Sequence, residues 1–307
     1  MLLYVEKKAK NYPLAQEILH TFPKVNIIEI QHYKDLFDKT IGDFPIEKCI
    51  ILAKQESISI LPTPPNYGFP NSKSFFFKPS INCVFNCAYC YLKTMFKNRF
   101  PVIFVNYEDM KEAIQTKIQT ERKSWYTKQL TFYASNYSDL RAIESFTHFH
   151  QEFIPFFEQF DNVVMETRTK SATINLLTTP KNKSRKSSIS PRNTELAFSL
   201  SPASIAEKYE PNTASLQQKL QIIKQLLNQG YRVGLRFLPL IPVENYLIIY
   251  QELIDQVKDS IDINKIASIG IAPLIENKEE RNADILTPFE LLFKKNFPNA
   301  NLFRDYQ

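Results

Sequence analysis

Asn82-Cys83-Val84-Phe85-Asn86-Cys87-Ala88-Tyr89-Cys90-Tyr91-Leu92 places three of the chain's four cysteines within eight residues. Thiolates set this close are gathered by a metal or an iron–sulfur cluster. The spacing C-x3-C-x2-C supplies three ligands. A cubane has four irons, so one iron is left without a cysteine, and an open position marks a site that does chemistry rather than one that braces a fold. A structural zinc knuckle is the alternative. It needs a fourth Cys or His, and the nearest histidines in sequence are His32 and His148. Cys49 lies in the apolar run Cys49-Ile50-Ile51-Leu52-Ala53 and reads as a buried strand residue.

Working outward, strand-like and helix-like stretches alternate from residue 74. Strands are expected at 74–78, 130–135, 162–168, 195–200, 233–242 and 268–272. Helices are expected at 109–123, 143–160, 171–177, 215–228, 244–257 and 288–296. Regular β-then-α order implies a parallel sheet with helical crossovers. Six units give an α/β fold of partial (β/α)6, TIM-like barrel form. Active groups in such barrels collect beyond the strands' C-terminal ends, and the cysteines follow the first strand. Residues 1–72 differ, with a helix at 14–19, strands at 25–30 and 49–52, and the prolines 62, 64, 65 and 70 as a stiff connector. The expected organisation is a small N-terminal α/β lead-in domain, 1–72, followed by the barrel, 73–307.

Composition sets the compartment. Of 307 residues, 44% are hydrophobic and 23% charged, as in a globular protein with a real core. No apolar run is long enough for a membrane span, so no membrane partner is expected. Met1-Leu2-Leu3-Tyr4-Val5-Glu6-Lys7-Lys8 reaches charge too early for a signal peptide. Clustered cysteines without a disulfide framework indicate a reducing, cytoplasmic setting. The net charge of +6 permits an anionic partner. Residues 180–192 hold five bases and no acid. They read first as a solvated loop and second as a phosphate-backbone contact.

The cysteine spacing is that of the radical S-adenosylmethionine (SAM) superfamily. With Tyr89-Cys90-Tyr91-Leu92 the chain resembles the spore photoproduct lyase family, which reverts a methylene-bridged thymine dimer in DNA. The resemblance runs over nearly the whole chain. It is carried by Tyr4-Val5-Glu6, Tyr12-Pro13-Leu14, Ser138-Asp139, Glu144, Thr147, Phe198-Ser199-Leu200, Tyr209-Glu210, Ser215-Leu216, Gly230-Tyr231, Ala272-Pro273 and Phe297-Pro298-Asn299-Ala300. It implies that Cys83, Cys87 and Cys90 ligate a [4Fe–4S] cluster, that the open iron chelates SAM, and that a 5′-deoxyadenosyl radical results. It implies Ala134, Ser135, Arg168 and Ser199 as the SAM cradle, with Arg168 standing where the family has a lysine. Tyr89 and Tyr91 are implied as a radical relay. The implied partners are DNA and a reducing electron donor such as flavodoxin or ferredoxin.

Two departures concern the repair step. The family's hydrogen-returning cysteine corresponds to Asn136, and an amide cannot donate a hydrogen atom as a thiol does. Tyr133 and Tyr137 are the nearest replacements in sequence, with Tyr89 and Tyr91 behind them. The family's basic, aromatic C-terminal segment has no counterpart before Gln307. Three functions are therefore weighed: a photoproduct lyase, a related radical SAM enzyme acting on another substrate such as a modified nucleobase, and a cluster-bearing nucleic-acid-binding protein without turnover.

Overall fold

A computed structural model describes residues 2–36, 49–64, 67–95, 99–124, 128–173, 191–274 and 283–305, with only the backbone described at 94 and 283–285. The chain opens with β1 (Leu2–Glu6), α1 (Pro13–Thr21), β2 (Asn26–Ile30) and β3 (Cys49–Ala53). There follow β4 (Leu61–Pro62), β5 (Lys73–Phe76), β6 (Ser80–Ile81), α2 (Leu92–Met95), β7 (Val102–Phe104), α3 (Tyr107–Arg122) and β8 (Leu130–Tyr133). Next come α4 (Glu144–Thr147), α5 (Phe149–Phe157), β9 (Val163–Thr169), β10 (Thr194–Ser199), α6 (Ala203–Tyr209) and α7 (Leu216–Asn228). The chain closes with β11 (Arg232–Leu240), α8 (Tyr246–Ser260), β12 (Ile266–Pro273), α9 (Ala283–Asn296) and β13 (Leu302–Arg304).

The larger sheet runs β13-β12-β11-β10-β9-β8-β5-β4. From β5 to β13 every pairing is parallel, and only β4 is antiparallel. The six expected strands stand side by side in chain order and form a partial (β/α)6 barrel. In this sheet two strands were not expected, the short edge strands β4 and β13. Helix α7 shows how local chemistry fixes the crossovers. Ser215 and Gln218 form a reciprocal capping box, and Leu220, Ile223 and Leu227 bury one face. Gly230, at φ +79°, stops the helix, with the Tyr231 N–H returning to the Leu226 carbonyl.

Helix 143–160 is interrupted. His148 takes φ +47°, and the Glu144 carboxylate receives the backbone N–H of His150 at 3.0 Å and its Nδ1 at 2.7 Å. A buried acceptor captures a donor that a continuous helix would use internally, so one apolar period becomes α4 and α5. Of the helix expected at 171–177, residues 171–173 are not helical and the remainder lies outside the described residues, as does nearly all of the basic segment 180–192.

The small sheet, β2-β1-β3-β7-β6, supports the cysteine loop. β1, β2, β3 and β7 are parallel, and β6 pairs antiparallel to β7 with Ser80 opposite Ile103. Asn82 Nδ2 donates to the Phe100 carbonyl at 2.9 Å. The two stems of the loop are thus zipped together at the edge of this sheet. A division at residue 72 leaves β6 and β7 on the barrel side, and one apolar core joins Leu3 and Ile51 to Phe75 and Phe132.

Charge fills the barrel interior. Arg236 is fully buried, with Nη2 2.7 Å from both Glu166 and Glu195 and Nη1 donating to Ser268 Oγ at 2.9 Å. Two of the five glycines make room for it. A Cβ on Gly234 would lie 2.4 Å from Glu195 Oε1, and one on Gly270 would lie 2.9 Å from Arg236 Cδ. A buried charge must be paired, and removing one partner strands the others. Arg236→Ala is therefore expected to lower stability by about 3–5 kcal/mol in urea unfolding. A loss below about 1 kcal/mol would contradict this account of the interior.

Candidate functional site

The C-terminal ends of the parallel strands open onto one cavity of about 560 Å³. Cys83, Cys87 and Cys90 line it together with Tyr89, Tyr91, Ser135, Asn136, Arg168 and Ser199. Ala134 does not line it. It is buried at the end of β8, where its N–H donates to the Glu166 carbonyl at 3.1 Å. Cys49 lies in β3 of the other sheet.

The loop is shaped by turns and then docked on the barrel. Cys90 N–H donates to the Cys87 carbonyl, and Lys93 N–H to the Cys90 carbonyl. Ala88 N–H donates to the Tyr209 carbonyl at 2.7 Å, and Tyr89 Oη to Glu210 Oε1 at 2.6 Å. The same oxygen accepts from Ser201 Oγ at 2.6 Å and Lys170 Nζ at 3.0 Å. Burial works against the Glu210 charge, but Lys170, Lys219 and the two hydroxyl bonds hold its pKa down at about 2. Asp139 ties the segment after β8 to the end of β9, accepting from the N–H groups of Ala142 and Lys170 and from Thr169 Oγ1.

The three thiols suit a cluster better than a single ion. Among the described residues, no three His, Cys, Asp or Glu side chains converge to hold one metal ion, and no histidine lines the cavity. A zinc knuckle thus lacks its fourth ligand here. Phe85 N–H points at Cys83 Sγ at 3.5 Å, the kind of donor that tunes cluster thiolates. Burial, with the Asp139 carboxylate nearby, pushes the Cys83 thiol up, and burial pushes Cys87 up to about 11. Deprotonation in such surroundings calls for cationic metal.

The polar wall opposite has its own order. Ser135 Oγ accepts the Arg168 N–H at 2.5 Å. Arg168 is held on two sides, with Nε 2.5 Å from Glu166 and Nη2 2.7 Å from Asp305. Its Nη1 is buried without a hydrogen-bond partner. Lys170, two residues on, brings an ammonium to the cavity with Glu210 as its ion-pair partner. The Ser199 carbonyl accepts from Lys219 Nζ, whose pKa burial and Lys170 lower to about 8. Lys170 and Glu210 were not singled out as site residues from sequence. The signal for Glu210 was the Tyr209-Glu210 pair itself.

Around Asn136, the Tyr91 hydroxyl donates to its carbonyl and its Nδ2 donates to Tyr67 Oη at 2.9 Å. Tyr133 is instead fully buried, accepting the Phe69 N–H at 3.1 Å, and Tyr137 sits under Lys78 Nζ at 4.6 Å. Tyr67, from the proline-rich connector, is the phenol that sequence proximity could not reveal.

A family described as spore photoproduct lyase matches residues 1–302. Among solved structures, a cysteine-to-serine mutant of spore photoproduct lyase superposes with a TM-score of 0.80 at 17% identity, covering 99% of this chain and 98% of that one. A double mutant of the same enzyme with bound AdoMet and dinucleoside spore photoproduct gives 0.76 at 19% identity, covering 98% and 84%. These likenesses establish the fold. No curated protein sequence matches the chain.

Glu210 yields a prediction with a definite sign. Its folded pKa of about 2 lies below the ordinary 4.5, so its contribution is complete above about pH 4.5 and is lost as pH falls toward 2. Glu210→Gln should cost on the order of 3 kcal/mol near neutrality, and the gap to wild type should close below pH 4.5. Urea unfolding of the metal-free protein across pH measures this. A gap that stays constant with pH would refute the assigned charge.

Proposed function

The chain belongs to the spore photoproduct lyase family, whose members are radical SAM lyases, and we propose that its substrate is a thymine photoproduct in DNA. The observation that carries this reading is the convergence of three cysteines, two tyrosines and a cationic wall on one cavity at the barrel's C-terminal end. When bound, a [4Fe–4S] cluster and SAM supply a 5′-deoxyadenosyl radical through one-electron cleavage of SAM.

This chain's residues do the rest. Cys83, Cys87 and Cys90 hold the cluster, and the Glu210 clasp sets the loop's height above the sheet. Lys170 and Arg168, which line the cavity, supply positive charge toward the SAM carboxylate. Ser135 and Ser199 keep the β8 and β10 ends in register with them. Glu210 and Lys170 hold Tyr89, ring and hydroxyl, beside Cys90. Leu238, Pro239 and Leu274 give the opposite wall an apolar surface that limits water around a reactive intermediate.

Asn136 favours a second reading, a related substrate or an altered outcome. Tyr91 and Tyr67 are the phenols bonded to Asn136, so either is placed to return a hydrogen atom where the family uses a thiol. The test is anaerobic turnover of dinucleoside spore photoproduct. Wild type should give thymine pairs slowly or with side products, and Asn136→Cys should raise the clean yield severalfold. Fast, clean repair that persists in a Tyr67→Phe, Tyr91→Phe double variant would discard the phenol role. Reconstituted protein should carry about four irons. Cys83→Ala, Cys87→Ala and Cys90→Ala should each abolish this content, while Cys49→Ala leaves it intact.

A further inference from the structure

The cysteine loop is a wall with two faces. Cys83, Phe85, Cys90 and Leu92 line the large cavity and also a small recess, which Asn82, Lys93 and Arg99 complete. Cluster ligands are therefore approached from the SAM side and from a second, outer side. The outer side is cationic. Neither Lys93 nor Arg99 makes an ion pair among the described residues, and Arg99 Nη2 is steadied by Asn86 Oδ1 at 2.8 Å. Met95, at the end of the short helix that carries Lys93, is 46% exposed. The sequence sharpens the contrast: residues 57–107, which contain the loop, hold five bases and no acid.

We propose that this outer face, centred on Lys93 and Arg99, is the docking surface for an acidic one-electron carrier protein of the flavodoxin or ferredoxin kind. The inference rests on the radical SAM reading. One electron crosses per SAM cleaved: the carrier is oxidised by one electron, the protein's metal centre is reduced by one, and no proton or covalent bond is exchanged at the surface. The size and character of the face suit a brief encounter. Redox complexes bury less than about 1,200 Å² and lean on charge complementarity for speed. The exposed Met95 beside the two cations serves this purpose. An acidic protein is favoured over nucleic acid because the substrate's cavity opens on the other face of the same wall.

The test combines binding with turnover. Flavodoxin and ferredoxin are titrated separately against wild type, Lys93→Glu/Arg99→Glu and the milder Lys93→Gln/Arg99→Gln. Wild type should bind one carrier with an affinity that falls as salt rises. Charge reversal should weaken that binding about tenfold or more, and neutralisation less. Carrier-driven SAM cleavage should fall in parallel, while dithionite-driven cleavage stays at the wild-type level. Three outcomes would overturn the proposal: no salt-dependent binding of either carrier to wild type, carrier affinity unchanged by charge reversal, or a loss of oligonucleotide affinity in place of carrier affinity. Failure of dithionite-driven cleavage in wild type would count against the radical SAM reading itself, and the binding titration distinguishes the two.

Discussion

One buried carboxylate ties the reactive loop to the barrel. Glu210 takes hydrogen bonds from Tyr89 in the loop, Lys170 beyond β9 and Ser201 beyond β10, all on a single oxygen. The connection between β6 and β7, with its three cysteines, has many ways to collapse. Closing it at both stems in one sheet and clasping its apex to another leaves few. In the low dielectric beneath the cavity each of these bonds is strong, and each is costly to leave unmade. The position of the thiols is therefore set by hydrogen bonds at stem and apex, with Val84 and Tyr89 packed against the apolar cores.

The same economy of charge governs the interior below. Glu166 serves both Arg168 and Arg236, Glu195 serves Arg232 and Arg236, and Asp305 reaches Arg168 from beyond β13. The network makes Arg168 part of a fixed scaffold. Lys170, two residues on, lines the cavity beside it. A barrel filled with apolar side chains would have been easier to stabilise, but it would offer no such oriented charge to an anionic ligand.

Much of this was legible in the chain. The cysteine spacing identified the chemistry, and the alternation of periods gave the six barrel strands in order. What escaped was short or relational. β13 spans only Leu302–Arg304, too little for a period to register. β1 is the short apolar run Leu2–Val5 closed by Glu6, without the turn signals that separate strand from helix. The break at His148 depends on a carboxylate reaching across to a backbone N–H. The partners of Glu210 lie up to 121 residues away, and Tyr67 meets Asn136 across 69. Pairings of that kind carry no local signature, because they exist only once the sheet has been assembled.

The central claim is that the cavity binds SAM at a cluster held by three thiolates and cleaves it. The direct measurement is product analysis after anaerobic reconstitution with iron and sulfide, using SAM and dithionite without any nucleic acid. The account predicts methionine and 5′-deoxyadenosine in equal amounts, dependent on all three cysteines. Intact SAM after full cluster incorporation, or a protein that takes up zinc and rebuilds no iron site, would contradict it.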